Sequence, residues 1–122
     1  MTGTYTEIIE IWTAKENYSP GETVWVTGYI KNLYSQPLHI YCVAMVDGTR
    51  FIELDTWVSA GLTYSFGGYF VMPDKSVTIT AYSYYEAVDG LIYFDDEKSK
   101  TVSLTELVPA FSEFAIADYR KV

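Results

Sequence analysis

The stretch that most limits what this chain can fold into is residues 18–32, Tyr-Ser-Pro-Gly-Glu-Thr-Val-Trp-Val-Thr-Gly-Tyr-Ile-Lys-Asn. Ser19-Pro20-Gly21-Glu22 puts Pro and Gly at the centre of a four-residue turn, where Pro pre-sets φ and Gly accepts the positive φ of a type II turn. From Val24 the side chains alternate. Val24, Val26 and Ile30 share one face around Gly28, and Trp25, Thr27, Tyr29 and Lys31 share the other. A stretch with a period of two buries one face only, so it belongs to a sheet packed against a second layer. Its outward face is unusually aromatic.

The same rhythm runs through most of the chain. Residues 5–12 are rich in β-branched and aromatic types, but Ile8-Ile9 breaks the alternation. The break predicts either an edge strand with a bulge or a strand that crosses between two sheets. Residues 38–46 have apolar even positions, and Asp47-Gly48 closes a hairpin, because Asp-Gly supplies the positive φ values of a primed turn. Residues 49–54 return, and Trp57-Val58 either continues that strand or links across to the other sheet. After Ala60-Gly61, the side chains of Leu62, Tyr64, Phe66 and Phe70 share a face, with Gly67-Gly68 marking a bulge or a close backbone approach. Met72-Pro73-Asp74-Lys75 ends that strand.

Val77, Ile79 and Ala81 form the next inward series, and Thr78, Thr80, Tyr82 and Tyr84 face the other way. Asp89-Gly90 signals a second hairpin, followed by residues 91–94, an acidic corner at Asp95-Asp96-Glu97, and a last strand near residues 101–104. Helical periodicity is weak; residues 104–108 are ambiguous, and Pro109 stops any helix there. About seven to eight short strands with regular turn signals predict an antiparallel β-sandwich. The 122 residues fit one domain, with its core over residues 5–104 and an extension over residues 105–122. Within the extension, Phe111-Ser112-Glu113-Phe114-Ala115 repeats the order of residue types in Tyr5-Thr6-Glu7-Ile8-Ile9. That predicts an additional edge strand, placed in its own sheet or in a neighbouring copy's.

Charge and composition remove several function classes. Sixteen acidic against eight basic residues give a net charge of -8, which repels phosphate backbones and anionic membrane surfaces, so no nucleic-acid partner is expected. No run approaches the roughly 18 apolar residues of a membrane span, so no membrane insertion is expected. Residues 1–5 show neither the basic start nor the apolar core of a signal peptide. Cys42 is the only cysteine and shares parity with Leu38, Ile40, Ala44 and Val46, so it reads as a small buried hydrophobe. His39 is the only histidine, and its distance in sequence from Cys42 on one strand gives them opposite faces. No nucleophile elbow is present, and no Lys-Ser or Lys-Thr follows Gly67-Gly68 into a helix. The expectation is a non-enzyme without a cofactor.

Ser19-Pro20-Gly21-Glu22-Thr23-Val24-Trp25-Val26 followed by Lys31-Asn32, with Phe70-Val71-Met72-Pro73-Asp74 opening a strand over residues 77–85, resembles the bacterial and archaeal immunoglobulin-like surface modules of the cell-adhesion-related type. The likeness covers roughly residues 8–104. It implies the fold and carries no shared catalytic residues. Such modules usually sit in tandem in long secreted proteins, whereas this sequence reads as a lone domain that opens on Met without a leader. In that respect it resembles accessory proteins on virus particles. The resemblance implies a decoration-type virion protein or a cell-envelope protein, located on a virion or extracellular surface.

Two groups of residues are candidates for a site. Trp25 and Tyr29 lie on one strand, Tyr41 on the next, and Tyr82 and Tyr84 on a later one. If the strands of Tyr41, Tyr82 and Tyr84 pair in one sheet, their rings make an apolar, hydrogen-bonding face suited to a protein partner or to self-assembly. The alternative is a carbohydrate-binding module that uses the same rings. The weaker candidate is Asp95, Asp96 and Glu97 as metal ligands. Calcium needs roughly six to eight oxygens, and this spacing matches no calcium loop, so a solvated acidic turn is expected. Three adjacent acids also splay apart, which disfavours an acid and base pair acting on a glycoside.

Overall fold

Strands that alternate apolar and polar side chains hide their apolar faces by stacking sheet on sheet. The computed structural model, which describes residues 3–105, has that arrangement. Its strands are β1 (Thr6–Thr13), β2 (Asn17–Tyr18), β3 (Thr23–Asn32), β4 (Leu38–Val46), β5 (Thr49–Val58), β6 (Thr63–Val71), β7 (Val77–Glu86) and β8 (Ile92–Leu104). One sheet has the order β1-β3-β6 and the other β2-β8-β7-β4-β5. All neighbours run antiparallel except β2, which is parallel to the end of β8. There is no helix among the described residues.

β3 is the middle strand of the smaller sheet, and its Val24, Val26 and Ile30 are buried while Trp25 faces solvent. From the larger sheet, Ile40, Cys42, Ala44, Ile79, Ala81 and Val102 meet them in a single core. The turn before β3 is held at both ends. Gly21 takes φ +86°, its N–H donates to the Met72 carbonyl at 2.8 Å, and the Glu22 N–H donates to the Ser19 carbonyl at 3.1 Å. Asp47 and Gly48 both have positive φ, 52° and 74°, as a primed hairpin turn requires.

The open alternatives resolve on contact. Register slips between Ile8 and Glu10 on β1, which leaves Ile9 unpaired and exposed. The Ile8-Ile9 break is thus a bulge on an edge strand, and the passage to the other sheet comes later, between β1 and β2. Trp57-Val58 continues β5. Gly67-Gly68 is a close approach without a bulge, since β6 pairs with β3 over nine consecutive positions. A Cβ on Gly68 would lie 2.7 Å from Ile52 Cγ1 and 3.1 Å from the Phe51 carbonyl oxygen. Phe66 sits opposite Gly28, where a Cβ would fall 2.4 Å from its ring.

The acidic corner does not exist. β8 begins at Ile92 and runs through Asp95, Asp96 and Glu97 without a turn. Charged residues are depleted in strands, but here the carboxylates of Asp95 and Asp96 accept hydrogen bonds from residues in and just before β1, which offsets the cost. The repeat at residues 111–115, the ambiguous residues 106–108 and the expected additional strand lie outside the described residues.

Candidate functional site

The larger sheet gathers one band of aromatic side chains on its outer face. β4 and β7 are neighbours, with Tyr41 opposite Tyr84 and Val43 opposite Tyr82. β5 adds Trp57 opposite His39 and Asp55 opposite Tyr41. β8 adds Phe94 opposite Tyr84 and Glu97 opposite Tyr82. Because directly opposite residues point to the same face, Asp55, Tyr41, Tyr84 and Phe94 form one row across four strands. The Phe94 ring meets Tyr84 edge-on at 5.8 Å and Tyr82 at 6.3 Å. Trp57 and Phe94, at opposite sides of the band, are 64% and 54% exposed.

His39 organises one end of the band. Its ring stacks on Trp57 with centroids 5.0 Å apart and planes 15° apart, and lies 4.5 Å from the Tyr41 ring. Nδ1 is 2.8 Å from Glu86 Oε1, and Nε2 is hydrogen-bonded to Asp55. Burial alone would lower the affinity of His39 for a proton, but the hydrogen bonds to Asp55 and then Glu86 outweigh it and raise its pKa above the usual value of 6.5. The Tyr41 hydroxyl is held above its ordinary range by burial first and then by the charges of Asp55 and Glu86. Beyond Glu86 the surface dips into a concavity lined by Tyr34, Pro37, Leu38 and Val88.

The five expected aromatic residues therefore divide between two opposite faces. Tyr41, Tyr82 and Tyr84 come together as anticipated, but Trp25 and Tyr29 belong to β3 and sit on the outer face of the smaller sheet. There Trp25 meets Tyr69 of β6 at 4.9 Å, with Trp12 and Val71 also exposed. Parity along a strand says which residues point outward and not which sheet carries the strand, so the two faces merged in the sequence. Phe94, Trp57, His39 and Tyr69 were missed. Phe94 stands beside the acidic run and Tyr69 directly follows Gly67-Gly68, so neither ring belongs to an alternating apolar series that would mark its face.

Asp95, Asp96 and Glu97 do not converge. Asp95 is the extra residue where β8 slips against β7, and its carboxylate accepts hydrogen bonds from the N–H groups of Thr4 (2.9 Å), Tyr5 (3.1 Å) and Thr6 (2.7 Å) and from Thr6 Oγ1 (2.6 Å). Asp96 points inward, is 4% exposed, and accepts the Ile8 N–H at 2.9 Å. Ser83 Oγ joins this group, 2.7 Å from Thr6 Oγ1 and accepting the Asp96 N–H at 3.1 Å. Glu97 points the other way, opposite Tyr82. Among the described residues no three His, Cys, Asp or Glu side chains are placed to hold a metal ion. The two aspartates are structural acceptors that fasten β1 of one sheet to β8 of the other. Cys42 is buried as expected, and burial first and the Asp96 charge second push its thiol up to about 12.

No protein-family model and no curated protein sequence matches the chain. Among solved structures it is similar to the crystal structure of Spo0M, a sporulation control protein from Bacillus subtilis, with a TM-score of 0.53 and 14% sequence identity. The match covers 84% of this chain and 50% of that one, so the chain spans about half the length of Spo0M. At this identity the likeness is one of fold alone.

Proposed function

We propose that the chain is a non-catalytic, immunoglobulin-like module that binds a protein partner through the aromatic outer face of its larger sheet. Support for the immunoglobulin-like reading comes from strand order: β1-β3-β6 faces β8-β7-β4-β5, with β2 running parallel to β8. The observation that carries the contact is the band of Trp57, His39, Tyr41, Tyr84 and Phe94. Rings of this kind bring large rigid area and polar tips, and they dominate protein interfaces. Glu53, Asp55, Glu86 and Glu97 lie on the same face, so the matching partner surface is apolar at its centre and carries Arg or Lys at its rim. Its location on a virus particle or cell envelope rests on the sequence resemblance given above.

The test is co-purification from the source cells with the wild-type chain and with Tyr84→Ala/Phe94→Ala. The expected result is a protein retained by the wild type, released by salt, and bound about tenfold or more weakly by the double variant. Equal retention by both chains overturns the reading. A carbohydrate function draws on the Trp25–Tyr69 pair of the smaller sheet. It would be favoured instead by a glycan-array signal that Trp25→Ala removes while Tyr84→Ala does not.

A further inference from the structure

A strand at the edge of a sheet leaves half of its backbone N–H and C=O groups available to another strand. Folded proteins blunt such edges with charge, proline, bulges or shortness. Among the described residues the two sheets end in four strands. β1 carries a bulge and the charges of Glu7 and Glu10. β2 has two residues. β5 slips register against β4 and carries Arg50, Glu53 and Asp55. β6 has none of these devices: its nine residues, Thr-Tyr-Ser-Phe-Gly-Gly-Tyr-Phe-Val, include no charge and no proline, and its pairing with β3 is unbroken.

We propose that β6 is the edge through which two copies of this chain pair, antiparallel, about a two-fold axis at Gly67. In that register the strand is complementary to itself. Phe66 faces the partner's Gly68, Ser65 the partner's Tyr69, Tyr64 the partner's Phe70, and Thr63 the partner's Val71. Phe66, Gly68 and Phe70 are already packed inside their own copy, against Gly28, Ile52 and Phe51, so the side-chain pairing falls on the solvent face, where Ser65 meets Tyr69 and Thr63 meets Val71, a β-branched pair. Charge points to the same contact. Two copies at -8 each repel, and an edge without ionic side chains is the place where they approach at least cost. The paired copies share one continuous sheet built from both sets of β1, β3 and β6. This contact lies on the sheet opposite the proposed partner face, so the two stand or fall separately.

Sedimentation velocity on the full chain, over a range of concentrations at low and high salt, tests the proposal. The expected result is a monomer–dimer equilibrium that shifts toward dimer as salt screens the residual repulsion. Ser65→Lys, at an exposed position on the edge, should keep the wild-type melting temperature and weaken the dimer about tenfold or more. Gly67→Cys should give a disulfide-linked dimer under mild oxidation. Thr63→Cys, on the same strand but opposite the partner's Val71, should not, and Cys42 is buried and contributes nothing to either result. Should Gly67→Cys fail to fold, the Ser65→Lys measurement decides alone. A chain that stays monomeric at every concentration, or a dimer that Ser65→Lys leaves intact, overturns the proposal.

Discussion

Asp96 shows how much one buried side chain can hold in this fold. Its carboxylate takes the buried Ile8 N–H next to the β1 bulge. Asp96→Ala leaves that donor buried and unpaired, so unfolding in denaturant should show a loss of about 2–4 kcal/mol, while Glu97→Ala, on the outer face, should stay within about 0.5 kcal/mol. His39 gives a pH dependence whose direction is fixed by its partners. Its folded-state pKa is raised above 6.5, so the stability it contributes is fully present below the unfolded-state value and is lost as pH rises through the folded-state value. Melting temperature should therefore fall on the alkaline side of 6.5 in step with the His39 ring resonances, and His39→Gln should remove that step. Cys42, with its thiol pushed up to about 12, should react with thiol reagents only as fast as the protein unfolds.

The elements differ in how openly the sequence declares them. β3 and β4 were legible because each keeps an unbroken alternation over its length, and β7 because it keeps one from Val77 to Tyr84. β1 was half legible: Ile8-Ile9 announced an irregularity, but only its pairing with β3 distinguishes a bulge from a crossing. β8 was legible only at its two ends, because Asp95-Asp96-Glu97 has the composition of a turn, and the donors that take up Asp95 and Asp96 lie 88 to 91 residues away. The aromatic site was legible residue by residue and illegible as a surface, since Trp25 and Tyr84 point outward from opposite sheets. At the contact of β3 and β6, Phe66 fills the space over Gly28. Gly28→Val should therefore overpack the core by about 1–3 kcal/mol, and Phe66→Ala should cost about 3–5 kcal/mol, both measured by denaturant unfolding.

At the scale of the whole molecule, many partners are distant in sequence: β1 bonds to β8, and β4, besides its hairpin with β5, pairs with β7. Loop-closure entropy must be overcome before such contacts form, so refolding in a stopped-flow experiment should take milliseconds to seconds rather than microseconds. Sixteen acidic residues against eight basic ones oppose compaction at low ionic strength, and moderate salt should raise stability before it affects anything else.

The aspartates that fasten β1 also set a schedule for the nascent chain. Thr6 and Ile8 emerge from the ribosome 89 and 88 residues ahead of Asp95 and Asp96, a wait of roughly 5–20 s at ordinary translation speeds. Throughout that interval the N–H groups of Thr6 and Ile8 stay hydrated, although β3 is made early and can pair with the other edge of β1. The first strand can join its own sheet early, but it cannot be fastened to the second one. The domain closes late, when the strand that holds the missing oxygens has been made.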